Sequence, residues 1–297
     1  MKEYLHKLEK IESLVSSTKS KRILSRPLKY FIGHSYKFIS KLSKQGFLVK
    51  SNTFFAENFY LNLPSGLDIF LFQAKTHTSE IRLAKYLMRN LNNTSTFIDV
   101  GAHFGYFSLL ALKCNSKSIV SFEASAKNYT ILKKNIDSKK KKITIKNLAI
   151  SNDNEPVTVY EFPPLFAENN TIEVAKFKEN KWFKNNSPTC FLANATTLDE
   201  YLLTNKIAPT FIKIDVEGAE LKVLEGATNT LQKLKPTIAL EFVLNSDLKN
   251  QNKVFTFLIS RGYKGYLIDK HGNLEMINDF NSLTKQAISE SENVIFK

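Results

Sequence analysis

Long apolar runs are missing from this sequence: no stretch approaches the roughly 18 to 20 consecutive apolar residues of a membrane span. The N-terminus also lacks an apolar core followed by a small-residue cleavage site, so a secretory signal is not expected. Cysteine is scarce, with only Cys114 and Cys190. Two such thiols form neither a disulfide framework nor a metal spacing. They read as buried or incidental groups in a reducing compartment, and the expected location is the cytoplasm. The five histidines, His6, His34, His77, His103 and His271, are scattered without ligand spacing, and no metal site is expected.

Acidic residues are also in deficit, 28 against 42 Lys and Arg, for a net charge of +14. Such a surplus suits an anionic partner, but it is unevenly spread. Residues 1–50 hold twelve Lys and Arg against three Glu, a surplus of +9, which leaves +5 for the other 247 residues. The run Lys139-Lys140-Lys141-Lys142 reads as a solvated loop, and no basic stripe interleaved with aromatics marks the rest as a nucleic-acid surface. The hydrophobic fraction of 43% suffices for a substantial core.

The charge imbalance coincides with a structural division. Residues 1–50 form a basic helical extension. Tyr4, Leu5, Leu8, Ile11, Leu14 and Val15 recur at three- and four-residue steps, and Pro27 opens a second stripe of Leu28, Phe31, Ile32, Phe38, Ile39 and Leu42. This extension is either a helical lid with lysines on its solvated face, or an amphipathic surface for a membrane or a protein partner. Residues 51–297 read as one further domain. A hairpin is expected from Phe54–Leu63 and Leu67–Phe72 around Pro64-Ser65-Gly66, then a helix capped by Thr78 or Ser79. From Thr96 onward short apolar strands alternate with helices, at 97–100, 118–122, 143–148, 211–215 and 237–242. Tyr263–Asp269 and Asn293–Phe296 close the chain as an antiparallel pair. The pattern predicts an α/β fold with a mostly parallel sheet and helices on both faces.

Residues 96–108 carry the most information. A buried strand runs through Asp99 into Gly101, and Gly105 opens a helix. In open α/β sheets ligands lie beyond the carboxyl ends of the strands. Gly101 is expected to keep a side chain out of the ligand's way, and Gly105 to let the helix start approach closely. The helix N-terminus favours a carboxylate such as that of a bound amino-acid moiety. Asp99 is placed to accept from an ammonium or from water. Residue 103 is His where a dinucleotide fingerprint requires Gly, so a ligand without pyrophosphate is favoured. Glu123 ends the next strand, where an acid can hold both hydroxyls of a ribose.

A second constellation is Lys213, Asp215, Glu217 and Glu220. Lys213 and Asp215 share one face of a strand, and Asp215 and Glu217 arrive at the strand's site end. Glu220 reads as a helix-start residue complementing the dipole. Glu241, on the next strand, either faces the site or caps a loop. Lys213 holds or orients Asp215. The aromatic stretch with Phe166, Phe177, Trp182 and Phe183 is long for a connection and reads as a lid or a substrate-contacting loop. Glu161-Phe162-Pro163-Pro164-Leu165 lacks the Asn or Asp of an amino-methylating motif and reads as a turn.

These blocks resemble the FkbM-type methyltransferases of the class I Rossmann-like group. The matching segments are IDVGAHFGYFS (98–108), Glu123, TTLDEYL (196–202), FIKIDVEGAELKVLEGA (211–227), KPTIALEF (235–242) and the terminal GYLID and NVIFK, in order over residues 53–297. His103 departs from the more usual Asn. The resemblance implies S-adenosylmethionine held by Asp99, Gly101, Ala102, His103, Gly105, Tyr106, Glu123 and Asp215. It also implies methyl transfer to a hydroxyl of a sugar, polysaccharide or related metabolite. Asp215, Glu217, Glu241 and Lys213 are the expected catalytic groups, with the base unassigned. The alternatives are a nucleic-acid methyltransferase, or a binding module that keeps the cofactor without turnover.

Overall fold

A computed structural model describes residues 1–136, 142–165, 170–172, 183, 186–244 and 248–297. Three helices come first: α1 (Lys2–Val15), α2 (Lys19–Ser25) and α3 (Pro27–Ser43). Pro27 stands in the first turn of α3, where its missing N–H costs nothing. Leu8 and Ile11 of α1 are buried.

The expected hairpin is corrected. β2 (Phe59–Leu63) pairs antiparallel with β1 (Phe47–Ser51), from Phe47 opposite Leu63 to Ser51 opposite Phe59. The proposed second arm is instead helix α4 (Leu67–Phe72), entered through a turn in which Leu67 N–H donates to Pro64 O at 3.1 Å. Ile69, Phe70, Leu71 and Phe72 are all buried, so the run has no solvent face to reveal its period. Helix α5 (Thr78–Asn90) follows as expected, although His77 and not Thr78 or Ser79 is its N-cap.

The alternation from Thr96 onward builds the central sheet. Its strands are β3 (Thr96–Val100), β4 (Ser118–Phe122), β5 (Ile143–Lys146), β10 (Phe211–Ile214), β11 (Thr237–Val243), β12 (Gly265–Ile268), β13 (Leu274–Ile277) and β14 (Ser291–Phe296). Their spatial order is β13-β12-β14-β11-β10-β3-β4-β5. The five from β11 to β5 are mutually parallel, and β14 runs antiparallel to both β11 and β12. The closing antiparallel pair is therefore present, with β13 added at the edge. Four short strands form two outlying pairs: β6 (Ala149–Ser151) beside β9 (Ala195–Thr197), and β7 (Val157–Glu161) beside β8 (Thr189–Ala193).

Helices cover both faces. On β3, Phe97 points into one core with α5, α6 (Tyr106–Lys113) and α7 (Ala126–Ile136), while Ile98 and Val100 point into the other. That second core holds residues of α8 (Leu198–Thr204), α9 (Glu220–Glu225), α10 (Thr228–Lys233) and α11 (Leu248–Ile259); α12 (Phe280–Gln286) adds Leu283. The helical stretch 219–234 breaks between α9 and α10. Gly226 there lies so close to the Ser151 carbonyl that a Cβ would meet its oxygen at 2.0 Å. Lys139–Lys141, Phe166, Phe177 and Trp182 lie outside the described residues.

Candidate active site

The carboxyl ends of β4, β3, β10 and β11 open into one cleft of about 710 Å³. That is the size of a small-molecule site. It lies where the strand order reverses between β3 and β10, the place an open α/β sheet reserves for ligands.

The loop leaving β3 forms one wall. Gly101 has φ +80°, and a Cβ there would meet the Asp215 carbonyl oxygen at 1.9 Å. The glycine is thus demanded by the chain beside it. Gly105, φ +87°, is likewise closed in by Leu132 of α7, 2.6 Å from a built Cβ. His103 adopts φ +51°, in the left-handed region that Asn and His tolerate better than most residues, which accounts for its standing in for Asn. Its backbone N–H donates to Glu123 Oε2 at 2.7 Å, and Ser125 N–H donates to Glu123 Oε1 at 2.9 Å. Both carboxylate oxygens keep acceptor capacity toward the cleft. Burial pushes the Glu123 carboxyl up to about 7 and the His103 imidazole down to about 3. His103 Nε2 is buried without a hydrogen-bond partner, and the residue lines the cleft.

The floor beside this loop is an alternating stack of charges. Asp99, 1% exposed, accepts from Ser108 Oγ at 2.5 Å and faces Lys213 Nζ at 3.7 Å. Lys213 donates in turn to Asp215 Oδ2 at 2.9 Å. The strand periodicity that put Lys213 and Asp215 on one face is realised as a direct ion pair. Burial would raise Asp215, but Lys213 and Lys75 outweigh it and hold the carboxyl down at about 2. Burial would lower Lys75, but Glu80, Asp215 and Asp68 hold its charge. Glu241 goes the other way: burial first, then the charges of Asp215 and Glu217, push it well above the ordinary carboxylate range. Glu241 accepts from Ser291 Oγ and hydrogen-bonds Asp215. Their surroundings thus push the two carboxyls apart, Asp215 toward the ionised form and Glu241 toward holding a proton.

Of the residues expected here, Gly101, His103, Glu123, Asp215, Glu217 and Glu241 line the cleft. Asp99, Ala102, Gly105, Tyr106 and Lys213 do not. Asp99 and Lys213 sit beneath Asp215, and Ala102 N–H is tied to Phe122 O at 2.9 Å. Tyr106 is 3% exposed and packs edge-on against Phe55. Glu220 accepts from Gly218 N–H at 2.8 Å, in line with its expected place at a helix start.

Sequence reasoning missed a whole wall: Asp68 on α4, Lys75 and His77 in the following turn, and Glu80 on α5. Lys75 and Glu80 are ion-paired, and burial together with Glu80 raises Asp68 to about 7. The only available signal was three charged residues and a histidine within thirteen positions of an apolar stretch, too common a pattern to single out.

Among the described residues, Asp215, Glu217 and Glu241 each place a carboxylate oxygen within 4.8 Å of the others. That spacing is compatible with a shared cation held by carboxylates alone, a set that histidine and cysteine spacing does not reveal. In the structure, positive charge at Asp215 comes from Lys213 and Lys75.

No curated protein matches the chain. Among solved structures it is similar to methyltransferase FkbM from Methylobacillus flagellatus KT, at 16% identity and a TM-score of 0.47, over 78% of this chain and 52% of that one. It is also similar to precorrin-6y C5,15-methyltransferase from Geobacter metallireducens GS-15, at 14% identity and TM-score 0.39, over 73% and 85%. A third is an rRNA methylase from Streptococcus thermophilus, at 13% identity and TM-score 0.41, over 75% and 96%. The chain thus spans about half the length of the first. Its sequence matches the methyltransferase FkbM domain over residues 99–264, more than half of its length. That span runs from Asp99 through Glu123, Asp215 and Glu241, and the chain belongs to the FkbM methyltransferase family.

Proposed function

We propose that the chain uses S-adenosylmethionine to methylate a hydroxyl of a sugar, polysaccharide or related metabolite. One observation carries the choice of a hydroxyl acceptor: the cleft sets a carboxyl of raised pKa, Glu241, against an ionised Asp215. A hydroxyl must lose its proton on methylation, and a positioned carboxyl with affinity for protons is suited to take it.

The residues present fit the cofactor. Glu123, directly after β4, has acceptor capacity toward the cleft, as two ribose hydroxyls need. The orphaned His103 Nε2 offers a further polar contact in the same wall. Glu123 would hold the ribose, and Asp215 with Gly101 beside it, both lining the cleft, the amino-acid end. When bound, the cofactor supplies a methyl already activated on a sulfonium.

The chain's own work is alignment and proton removal. Asp215, at about 2, is a weak base, and Lys213 and Lys75 fix it as an anionic anchor for the acceptor. Glu241 in its ionised form takes the acceptor proton and shares it with Asp215 across their hydrogen bond. His103, at about 3, stays neutral and takes no part in proton transfer. Incubation with methyl-labelled cofactor and separate pools of glycans, small metabolites and RNA tests the proposal by product mass. Label in a hydroxylated carbohydrate is the expected result. Label only in RNA overturns it.

A further inference from the structure

The exposed apolar side chains of this protein are not scattered evenly. Leu24, Leu28, Phe31, Phe38, Ile39 and Leu42 all lie on α2 and α3, and all but Ile39 are between 65% and 78% exposed. Along α3 the steps from Leu28 to 31, 35, 38 and 42 alternate three and four residues, so Leu28, Phe31, Phe38 and Leu42 share one helical face. An isolated exposed Leu or Phe is ordinary, but a continuous stripe marks a contact surface.

The opposite face of α3 is already in use. Gly33 and Ser40 are buried, and a Cβ on Gly33 would stand 2.6 Å from Leu67 of α4. Arg26 donates to Leu71 O at 2.7 Å and Lys29 to Phe70 O at 3.0 Å. The helix is therefore anchored by one side with the apolar stripe turned outward.

We propose that this outward face docks on an anionic lipid surface. Charge complementarity selects the occupant. Residues 13–56 contain nine Lys and Arg and no Asp or Glu. Lys19, Lys21, Lys37, Lys41, Lys44 and Lys50 are exposed. Phe and Leu beside lysines on a preformed helix suit the boundary of acyl chains and acidic headgroups. A second copy would bring two such cationic segments together. A nucleic acid would engage the lysines and leave the apolar stripe in water. Among the described residues no helix is long and apolar enough to cross a membrane, so the contact is with the surface. Nothing in this proposal depends on which acceptor the cleft takes.

Co-sedimentation of the full chain tests it, with vesicles of phosphatidylcholine alone and of equal parts phosphatidylcholine and phosphatidylglycerol. The chain should pellet with the anionic vesicles, less so as salt is added, and stay in solution with the neutral ones. Phe31→Ser with Phe38→Ser should lower the partition about tenfold or more, with a melting temperature like that of the parent because both rings are solvated. Lys37→Glu with Lys41→Glu should weaken it about tenfold. Equal pelleting with neutral vesicles, no pelleting with either, or a phenylalanine variant that binds like the parent overturns the proposal. So does a parent dimer that the phenylalanine variant turns into a monomer.

Discussion

Glu123 and Glu241 are both raised carboxyls, but they face different tasks and predict different pH behaviour. In the proposed complex ribose hydroxyls donate to Glu123, so the ionised form should bind the cofactor. Its carboxyl sits at about 7, and affinity for the demethylated cofactor should fall as pH drops below that value. Calorimetry across pH reads this directly. Glu123→Ala should remove the dependence and cost about 1.5 to 3 kcal/mol for each charge-assisted hydrogen bond lost. For Glu241 the sign concerns folding. It holds its proton to higher pH in the folded chain, whereas the unfolded chain ionises it near 4.5. From there upward the folded state binds the extra proton, so this group lowers stability as pH rises. Glu241→Gln keeps a neutral hydrogen-bonding group without that cost. Its melting temperature should exceed the parent's at neutral pH, by about 2 °C or more, and converge with it under acid conditions. A variant that melts lower at neutral pH would contradict the raised carboxyl.

At the scale of elements, the glycine loop separates two uses of the same backbone conformation. Gly101 has φ +80° and no space, because the Asp215 carbonyl occupies the position of a Cβ. Gly262 has φ +79°, but its nearest neighbour is the flexible end of Lys235 at 3.5 Å. Gly262→Ala should cost about 1 kcal/mol from backbone strain alone. Gly101→Ala should cost several times as much, since β3 and β10 must part at the cleft, and thermal melting of the two variants checks the ranking.

The elements that sequence reasoning found share a property. The β3 loop and the β10 end have carboxylates and glycines at fixed offsets from apolar strands, so local pattern alone locates them. Helix α4 has no such punctuation, and six residues with four fully covered show neither period. Lys75, His77 and Glu80 become cleft residues only because α4 and α5 fold across the sheet end. Such long-range placement leaves no local trace. The Lys213–Asp215 pair was legible from strand periodicity, whereas the opposite protonation of Asp215 and Glu241 was not, because it depends on Lys75 and on burial.

Across the whole molecule, the cleft rests on buried ion pairs that tie distant segments together. Arg82 of α5 donates to Glu292 Oε2 on β14 at 2.5 Å and to Ile268 O at 2.9 Å, with side-chain exposures of 3% and 1% for the pair. Glu292 Oε1 also accepts from the backbone of Ile288 and Ser289. Arg82→Met leaves that carboxylate buried without its cation and should cost about 3 to 5 kcal/mol by denaturant unfolding. Lys85 of α5 likewise joins Glu12 of α1 at 2.6 Å, which fixes the basic extension to the catalytic fold. Most of the surplus positive charge thus lies in residues 1–50, while Asp215, Glu217 and Glu241 gather in the cleft.

The central claim is that this cleft binds S-adenosylmethionine and that Glu241 takes a proton from a hydroxyl acceptor. The most direct test measures cofactor affinity and methyl turnover on the same preparations of parent chain and Glu241→Gln, across pH. Affinity should be unchanged, while turnover should fall about a hundredfold and lose its rise with pH. Normal turnover in Glu241→Gln, or a parent chain that fails to bind the cofactor, would contradict the account.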